Sequence, residues 1–335
     1  VQVVSKREYN DHDPIWAGGN ENMNLSVLAA LAVGVLGAQD KVAIERTYTA
    51  GEKAKYEFSN RLDMDFRTFP HVNYFPIRYL VSYSFDLNVE SLKPDGVADV
   101  RFIRPSIVIR ESESPWGDAK TETIELKENV LYTLSRANQP IGVRIDTPSS
   151  NRQSDRVRFL THSAEAQLDI VGPFVSQIYQ LAGFVNFFDL GPNLPLRPVS
   201  VGDTWKETKA YAPMTVQSGA DRGKNMVSRL DYEYTFKGST EFEGRQVTWI
   251  QGRLKQDTDA VGYIAELYGY EVSAFPISSI ILKLDMTVDY YLDEKTKWPI
   301  KIIGNSQGEA SITFRGEQAP REEIRVKGSA ALSRK

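Results

Sequence analysis

Two stretches of this chain alternate apolar and polar residues with unusual regularity, from Ile77 to Val89 and from Ile280 to Leu292. In the first, Ile77, Tyr79, Val81, Tyr83, Phe85, Leu87 and Val89 oppose Arg78, Ser82, Ser84, Asp86 and Asn88. In the second, Ile280, Leu282, Leu284, Met286, Val288, Tyr290 and Leu292 oppose Lys283, Asp285, Thr287 and Asp289. Successive side chains of a strand point to opposite faces, so both stretches read as long strands with one face wet and one buried, the habit of antiparallel sheet. Leu230, Tyr232, Tyr234 and Phe236 repeat the pattern, as do Ala98, Val100 and Phe102. Lys93-Pro-Asp-Gly96 and Glu243-Gly244 are turn chemistry between such strands, and Asp293-Glu-Lys-Thr-Lys297 turns into Trp298-Pro-Ile-Lys-Ile302. Tyr132-Thr-Leu134 and Pro140 to Ile145 suggest a further pair, while Pro105, which cannot donate to a ladder, predicts an edge or a bulge. The fold expected is mainly β: long antiparallel strands in one or two curved sheets or half-barrels, since a flat exposed apolar sheet is not tolerated in a soluble monomer.

A different grammar governs Ile170 to Phe188, which carries no charged residue in a chain that is 25% charged. Gly172-Pro173 suits a helix start and Asp189-Leu-Gly-Pro192 a stop. Val171, Val175, Ile178, Ala182 and Val185 recur at three- and four-residue spacing, and Phe174, Leu181, Phe184 and Phe188 widen the stripe. This predicts one apolar helix packed on the concave face of the sheet. Ser176, Gln177, Gln180 and Asn186, with strands on both sides, argue against a membrane span. Phe174, Ile178 and Phe184, with Tyr83, Tyr234 and Trp205, are the candidates to line a site for a hydrophobic small molecule or lipid.

Residues 25–36 form an apolar run the length of a signal-peptide core, followed by small residues at Gly37 and Ala38. Residues 23–38 are accordingly expected to be a signal peptide, and residues 1–22 to be upstream sequence from a mis-called start. The remainder divides into an N-terminal β half (39–160), the helix and connector (161–192) and a C-terminal β half (193–335). With no cysteine there is no disulfide framework and no lipid-acceptor thiol after Ala38, which points to an exported protein of the periplasm or exterior. Lys and Arg (40) nearly balance Asp and Glu (44), so no nucleic-acid partner is expected.

Three patterns recur at similar offsets in both halves. Gly51-Glu-Lys-Ala-Lys55 parallels Gly202-Asp-Thr-Trp-Lys206, and Tyr83 before Asp95-Gly96 parallels Tyr232 before Glu243-Gly244. Tyr132-Thr-Leu134 with Pro140-Ile141 parallels Tyr290-Tyr-Leu292 with Pro299-Ile300. Tandem similar halves are one reading, and the shared spacing of all meanders is the other.

Catalytic and metal-binding signatures are scarce. His12, His71 and His162 lack metal-site spacing, and there is no nucleophile elbow and no dinucleotide fingerprint. Gly219 to Lys224 is one residue short of a phosphate loop and reads as a turn. Asp63 with Asp65 and Asp257 with Asp259 would each share a strand face, as a carbohydrate hydrolase or any solvated strand would place them. Gly202-Asp-Thr-Trp205 reads as a tight turn whose glycine takes positive φ, whose aspartate bonds back and whose tryptophan is core; Trp205 as a stacking platform is the functional alternative.

From Leu194 through Pro-Val-Ser-Val-Gly-Asp-Thr-Trp205 the chain resembles a bacterial family of secreted proteins and lipoproteins known only as a domain of unknown function. The closing Asp293-Glu-Lys-Thr-Lys-Trp-Pro299 has Lys297-Trp298 where that family would have Gly-Leu. The same hairpin is similar to outer-membrane lipoprotein carriers of the LolA and LolB type, which implies a curved sheet around a helix-plugged apolar cavity. The function expected is a non-catalytic envelope protein without cofactor that binds a hydrophobic or amphiphilic ligand. The alternatives are a structural or interaction module of the cell surface and, third, a carboxylate-dependent carbohydrate hydrolase. The sequence does not specify an oligomeric state.

Overall fold

The computed structural model describes residues 41–113, 120–146, 181–185, 188–211, 228–262, 265, 270–316 and 321–335. The chain separates into Val1–Ala38 and Gln39–Lys335, and the described residues all lie in the second unit. The signal-peptide segment, the Thr147–Asp155 loop, most of the expected helix and Gly219–Lys224 fall outside the described residues.

Eleven strands form one sheet: β1 (Lys53–Thr68), β2 (Phe75–Leu92), β3 (Ala98–Glu113), β4 (Lys120–Leu134), β5 (Pro140–Ile145), β6 (Thr204–Tyr211), β7 (Ser228–Phe242), β8 (Arg245–Asp259), β9 (Ile277–Asp293), β10 (Pro299–Phe314) and β11 (Arg321–Arg334). Their order across the curved, open sheet is β5-β4-β3-β2-β1-β11-β10-β9-β8-β7-β6, and each neighbouring pair is antiparallel. Two uninterrupted meanders, β1 to β5 and β6 to β11, are therefore joined where the first strand pairs with the last.

The alternation sets which face is buried. In β2, Ile77, Val81, Tyr83, Phe85, Leu87 and Val89 are buried, and in β9 so are Ile280, Leu282, Leu284, Met286, Val288, Tyr290 and Leu292. Gly96 turns β2 into β3 at φ +82° with its N–H bonded to the Lys93 carbonyl (2.9 Å). Glu243 and Gly244 both adopt positive φ in the two-residue turn from β7 to β8, the backbone twist a tight hairpin needs. A register shift between Arg104 and Ser106 places a bulge at Pro105, whose ring cannot supply the ladder donor.

The recurrent patterns occupy equivalent places in the two meanders. Gly51 (φ +79°) and Gly202 (φ +90°) precede β1 and β6, and Gly96 and Gly244 (φ +74°) turn the second strand of each meander into the third. Asn138 (φ +58°) and Lys297 (φ +59°) turn the fourth into the fifth. The segments ahead of β1 and β6 also pair with each other, Val42 with Val199. Both edge strands are short, β5 with 6 residues and β6 with 8, which limits the unpaired backbone at each margin.

Candidate functional site

The buried face of the sheet carries the hydrophobic core, and its register rows show how it is furnished. Asn60, Ala330, Gly304, Val288, Gly252 and Tyr234 face each other across β1, β11, β10, β9, β8 and β7. The next row holds Leu62, Gly328, Ser306, Met286, Leu254 and Tyr232. In these two rows β10 and β11 contribute only glycine, serine and alanine.

The end of the uncharged stretch is seated there. Leu181 and Ala182 are helical, 183–185 form a turn, and Leu181, Ala182, Phe184, Val185 and Phe188 are buried. Asn60 Nδ2 donates to the Gly183 carbonyl (2.6 Å), and Ser306 Oγ donates to the Ala182 carbonyl (2.6 Å). Asn60 Oδ1 also accepts from the Val81 N–H (2.8 Å), so one amide satisfies both the sheet and the seated segment. A Cβ on Gly328 would collide with the Ala182 carbonyl, and one on Gly304 would come within 2.6 Å of the Phe188 ring. Phe184 takes φ +57°, a conformation costly for a phenylalanine, and stacks on Phe188 (5.2 Å), which meets Phe58 edge-on (6.0 Å).

Two buried polar clusters anchor the connector beyond Phe188. Asp189 accepts from the Tyr83 hydroxyl (2.8 Å) and lies 3.5 Å from Arg104, whose guanidinium also binds Glu128 (2.7 Å) and stacks on the Tyr83 ring (4.6 Å). Burial disfavours the Arg104 charge, but Glu128 and Asp189 outweigh it and hold the group above its ordinary range. Arg46, 2% exposed, donates to Asn138 Oδ1 (2.7 Å) and to the carbonyls of Leu190 (3.2 Å) and Lys297 (3.1 Å) while lying over Trp298 (4.9 Å). It thereby joins the two equivalent hairpin turns to the connector.

Beyond the seat the apolar rows continue with Met64, Val326, Gly308, Leu284 and Gln256, then Phe66, Ile324, Ala310 and Leu282, then Thr68, Glu322, Ile312 and Ile280. Among these, Glu322 Oε2 and Gln256 Oε1 are buried without a hydrogen-bond partner. Burial pushes the Glu322 carboxyl up to about 7. Three rows, about 20 Å, separate Glu322 from Gly328.

Of the residues expected to line a ligand site, Phe174 and Ile178 lie outside the described residues. Phe184 and Tyr83 are brought together, since Phe58 stacks on Tyr83 (4.5 Å) and meets Phe188. Tyr234 and Trp205 form a second group three strands from Gly304, with their rings stacked at 5.4 Å. Trp205 is partly buried, with Nε1 bonded to the Asn193 carbonyl (3.3 Å), and Asp203 Oδ2 accepts from the Ser200 N–H (2.9 Å), closing the turn at Gly202. Asn60, Ser306, Gly304, Gly328 and Glu322 were not anticipated. The signal available was a run of small or polar residues on the apolar face of β10 and β11.

The acidic pairs do not converge. Asp63 binds Arg61 (3.1 Å) and Arg78 (3.3 Å), Asp65 binds Arg78 (3.1 Å), and Asp259 accepts from the N–H groups of Val261 and Ile280 (3.0 Å each). Among the described residues no group of three His, Cys, Asp or Glu could hold a metal ion, and no helix is long and apolar enough to cross a membrane.

No family model matches the chain, and no curated protein matches it in sequence. Solved structures similar to it include lipovitellin, described for its lipid–protein interactions (9% identity, TM-score 0.38), which covers 86% of this chain; the chain spans 25% of lipovitellin. A DUF1329 family protein from Desulfovibrio piger matches at 10% identity and TM-score 0.15, covering 82% of this chain and 84% of that one. A putative outer membrane lipoprotein-sorting protein domain from Vibrio parahaemolyticus matches at 8% identity and TM-score 0.14, covering 81% and 83%.

Proposed function

We propose that this is an exported, non-catalytic envelope protein, periplasmic or extracellular, that holds a hydrophobic or amphiphilic molecule against the apolar face of its sheet. The observation that carries this reading is the continuation of the apolar rows past the seat of Ala182–Phe188 to Glu322 and Gln256, buried polar atoms without partners. A buried group left unpaired costs about 1–3 kcal/mol, a cost removed when a ligand's polar group bonds to it. An acyl or other apolar chain lies along Met64, Leu284, Ile324 and Ile312, and its polar end meets the Glu322 carboxyl. At neutral pH that carboxyl is partly protonated and both donates and accepts hydrogen bonds. Phe174 and Ile178 remain candidates for the same lining, with Phe184, Tyr83, Tyr234 and Trp205 bordering the anchored end.

Extraction of the purified protein with organic solvent followed by mass spectrometry tests the reading. A stoichiometric lipid or other apolar molecule is expected, with Glu322→Leu reducing its yield. Protein that is empty and fails to bind a fluorescent fatty acid would overturn it. The second reading, an interaction module, draws on edge strand β5, where Ile141 (62% exposed) and Val143 (58%) face solvent beside an unpaired backbone. An empty protein that recovers one stable partner, lost on Val143→Pro, would favour that reading.

A further inference from the structure

The polar face of the same sheet carries a hollow of about 620 Å3 across β1, β11, β10, β9 and β8. Its floor is a register row of short side chains, Thr287, Asn305 and Ser329, flanked by two long ones, Arg253 and Arg61. Short residues between long ones make a trough on a sheet surface.

Charge distinguishes the trough from an ordinary solvated face. Two rows along this face from the floor, Asp65, Arg325, Glu309, Lys283 and Asp257 alternate in sign at every step, as cross-strand neighbours on a wet face do. The floor row has two arginines and no acid. Asp63, the acid nearest Lys327 in register, is taken by Arg61 and Arg78, and Glu233, opposite Arg253, is taken by Lys206 (3.7 Å). Asp285 is taken by Lys255 (3.6 Å). Arg253 and Lys327 are thus left without an ion pair among the described residues, in a chain whose formal charge is -4.

Two rows further along the strands the polar face becomes aromatic. Trp249 and Tyr291 are cross-strand partners with nearly parallel rings (6.1 Å, 23°), and Phe242 stacks on Tyr291 at 4.0 Å. Between them and the trough, Trp249 Nε1 (2.9 Å) and Gln251 Nε2 (3.0 Å) both donate to Asp289 Oδ1. Four residues of strand, about 13 Å, carry the surface from the rings to the trough, which is the reach of a few sugar rings.

We infer that this face binds a short acidic oligosaccharide. A sugar ring lies on the Trp249–Tyr291 surface, hydroxyls bond Gln251, Asn305 and Thr287, and successive carboxylates or phosphates meet Arg253 on β8 and Lys327 on β11 at the two sides of the trough. Guanidinium favours such anions because its fork matches two oxygens at once. The site lies on the opposite face from the apolar rows, so it does not depend on the hydrophobic-ligand reading.

Calorimetric titration of the full chain with trigalacturonic acid, maltotriose and inorganic phosphate tests it. Trigalacturonic acid is expected to bind, more weakly as salt rises, and maltotriose and phosphate to bind at least about tenfold less tightly. The Arg253→Gln/Lys327→Gln double variant should lose at least about tenfold in affinity, and Trp249→Ala should weaken the trimer while leaving phosphate unaffected. Arg253 and Lys327 are exposed and Trp249 is half-buried, and a retained cooperative melting transition shows that the variants fold. No binding of trigalacturonic acid at about 1 mM, equal binding of maltotriose, or unaltered affinity in the double variant would overturn the proposal.

Discussion

Single residues carry much of what periodicity leaves out. Lys297 occupies a left-handed position, φ +59°, where glycine is at ease and where the resemblance led us to expect Gly. Its ammonium compensates by donating to Thr248 Oγ1 (2.7 Å) and to the Glu294 carbonyl (2.5 Å), and the adjoining Trp298 fills the space beneath Arg46. Lys297→Ala keeps the strain and loses the bonds, so it should unfold about 1 kcal/mol more easily than Lys297→Gly in urea titrations. Trp205 is stacked on Tyr234 and half-buried at the margin, so Trp205→Ala should cost about 3 kcal/mol. Glu322 sets a pH dependence. Its folded-state carboxyl sits at about 7 against an ordinary 4.5, so the native state holds this proton more tightly than the unfolded chain. Its contribution is therefore most favourable below about pH 4.5 and falls as pH rises to about 7. Melting temperatures across that window should decline more steeply for the parent than for Glu322→Gln.

At the scale of elements, the strands were legible because each buries one face over its length, leaving period two intact from Ile77 to Val89 and from Ile280 to Leu292. The turns were legible where chemistry demands positive φ, as at Gly96 and Gly202. The order of strands was not, because nothing in β1 or β11 alone says that they pair. The seat for Ala182–Phe188 was hidden for a related reason: Asn60, Gly304, Ser306 and Gly328 lie far apart in sequence, and only the register rows assemble them. The helix expected over Ile170–Phe188 lies mostly outside the described residues, and the hydrogen bonds that fix its described end, Asn60 to Gly183 and Ser306 to Ala182, had no signal in the stretch itself. Gly328→Val forces the Ala182 carbonyl away and should destabilise by about 2–3 kcal/mol. Asn60→Leu strands the Gly183 carbonyl and the Val81 N–H at similar cost, and both losses are measurable by urea denaturation.

For the sheet as a whole, one continuous ladder of hydrogen bonds runs from β5 to β6, with β1, β11 and β10 at its centre. Amide exchange should accordingly be slowest in those three strands and fastest in β5 and β6, which have no outer neighbour among the described strands. The central pair joins opposite ends of the chain, Tyr56 with Arg334 and Thr68 with Glu322. Closing it requires contacts that span most of the described sequence, the kind that make folding slow. A chain cut after Phe314 would leave β1 and β10 as two long bare edges, and gel filtration should show soluble aggregates larger than the full chain's own species. Order of synthesis then becomes a constraint on assembly: β1 can pair with β2 on one side, but its other edge must wait, bare, for Arg321–Arg334 before the middle of the sheet exists. Until that moment the growing chain is a client for whatever keeps apolar strands apart, and folding during synthesis can complete only the two flanks.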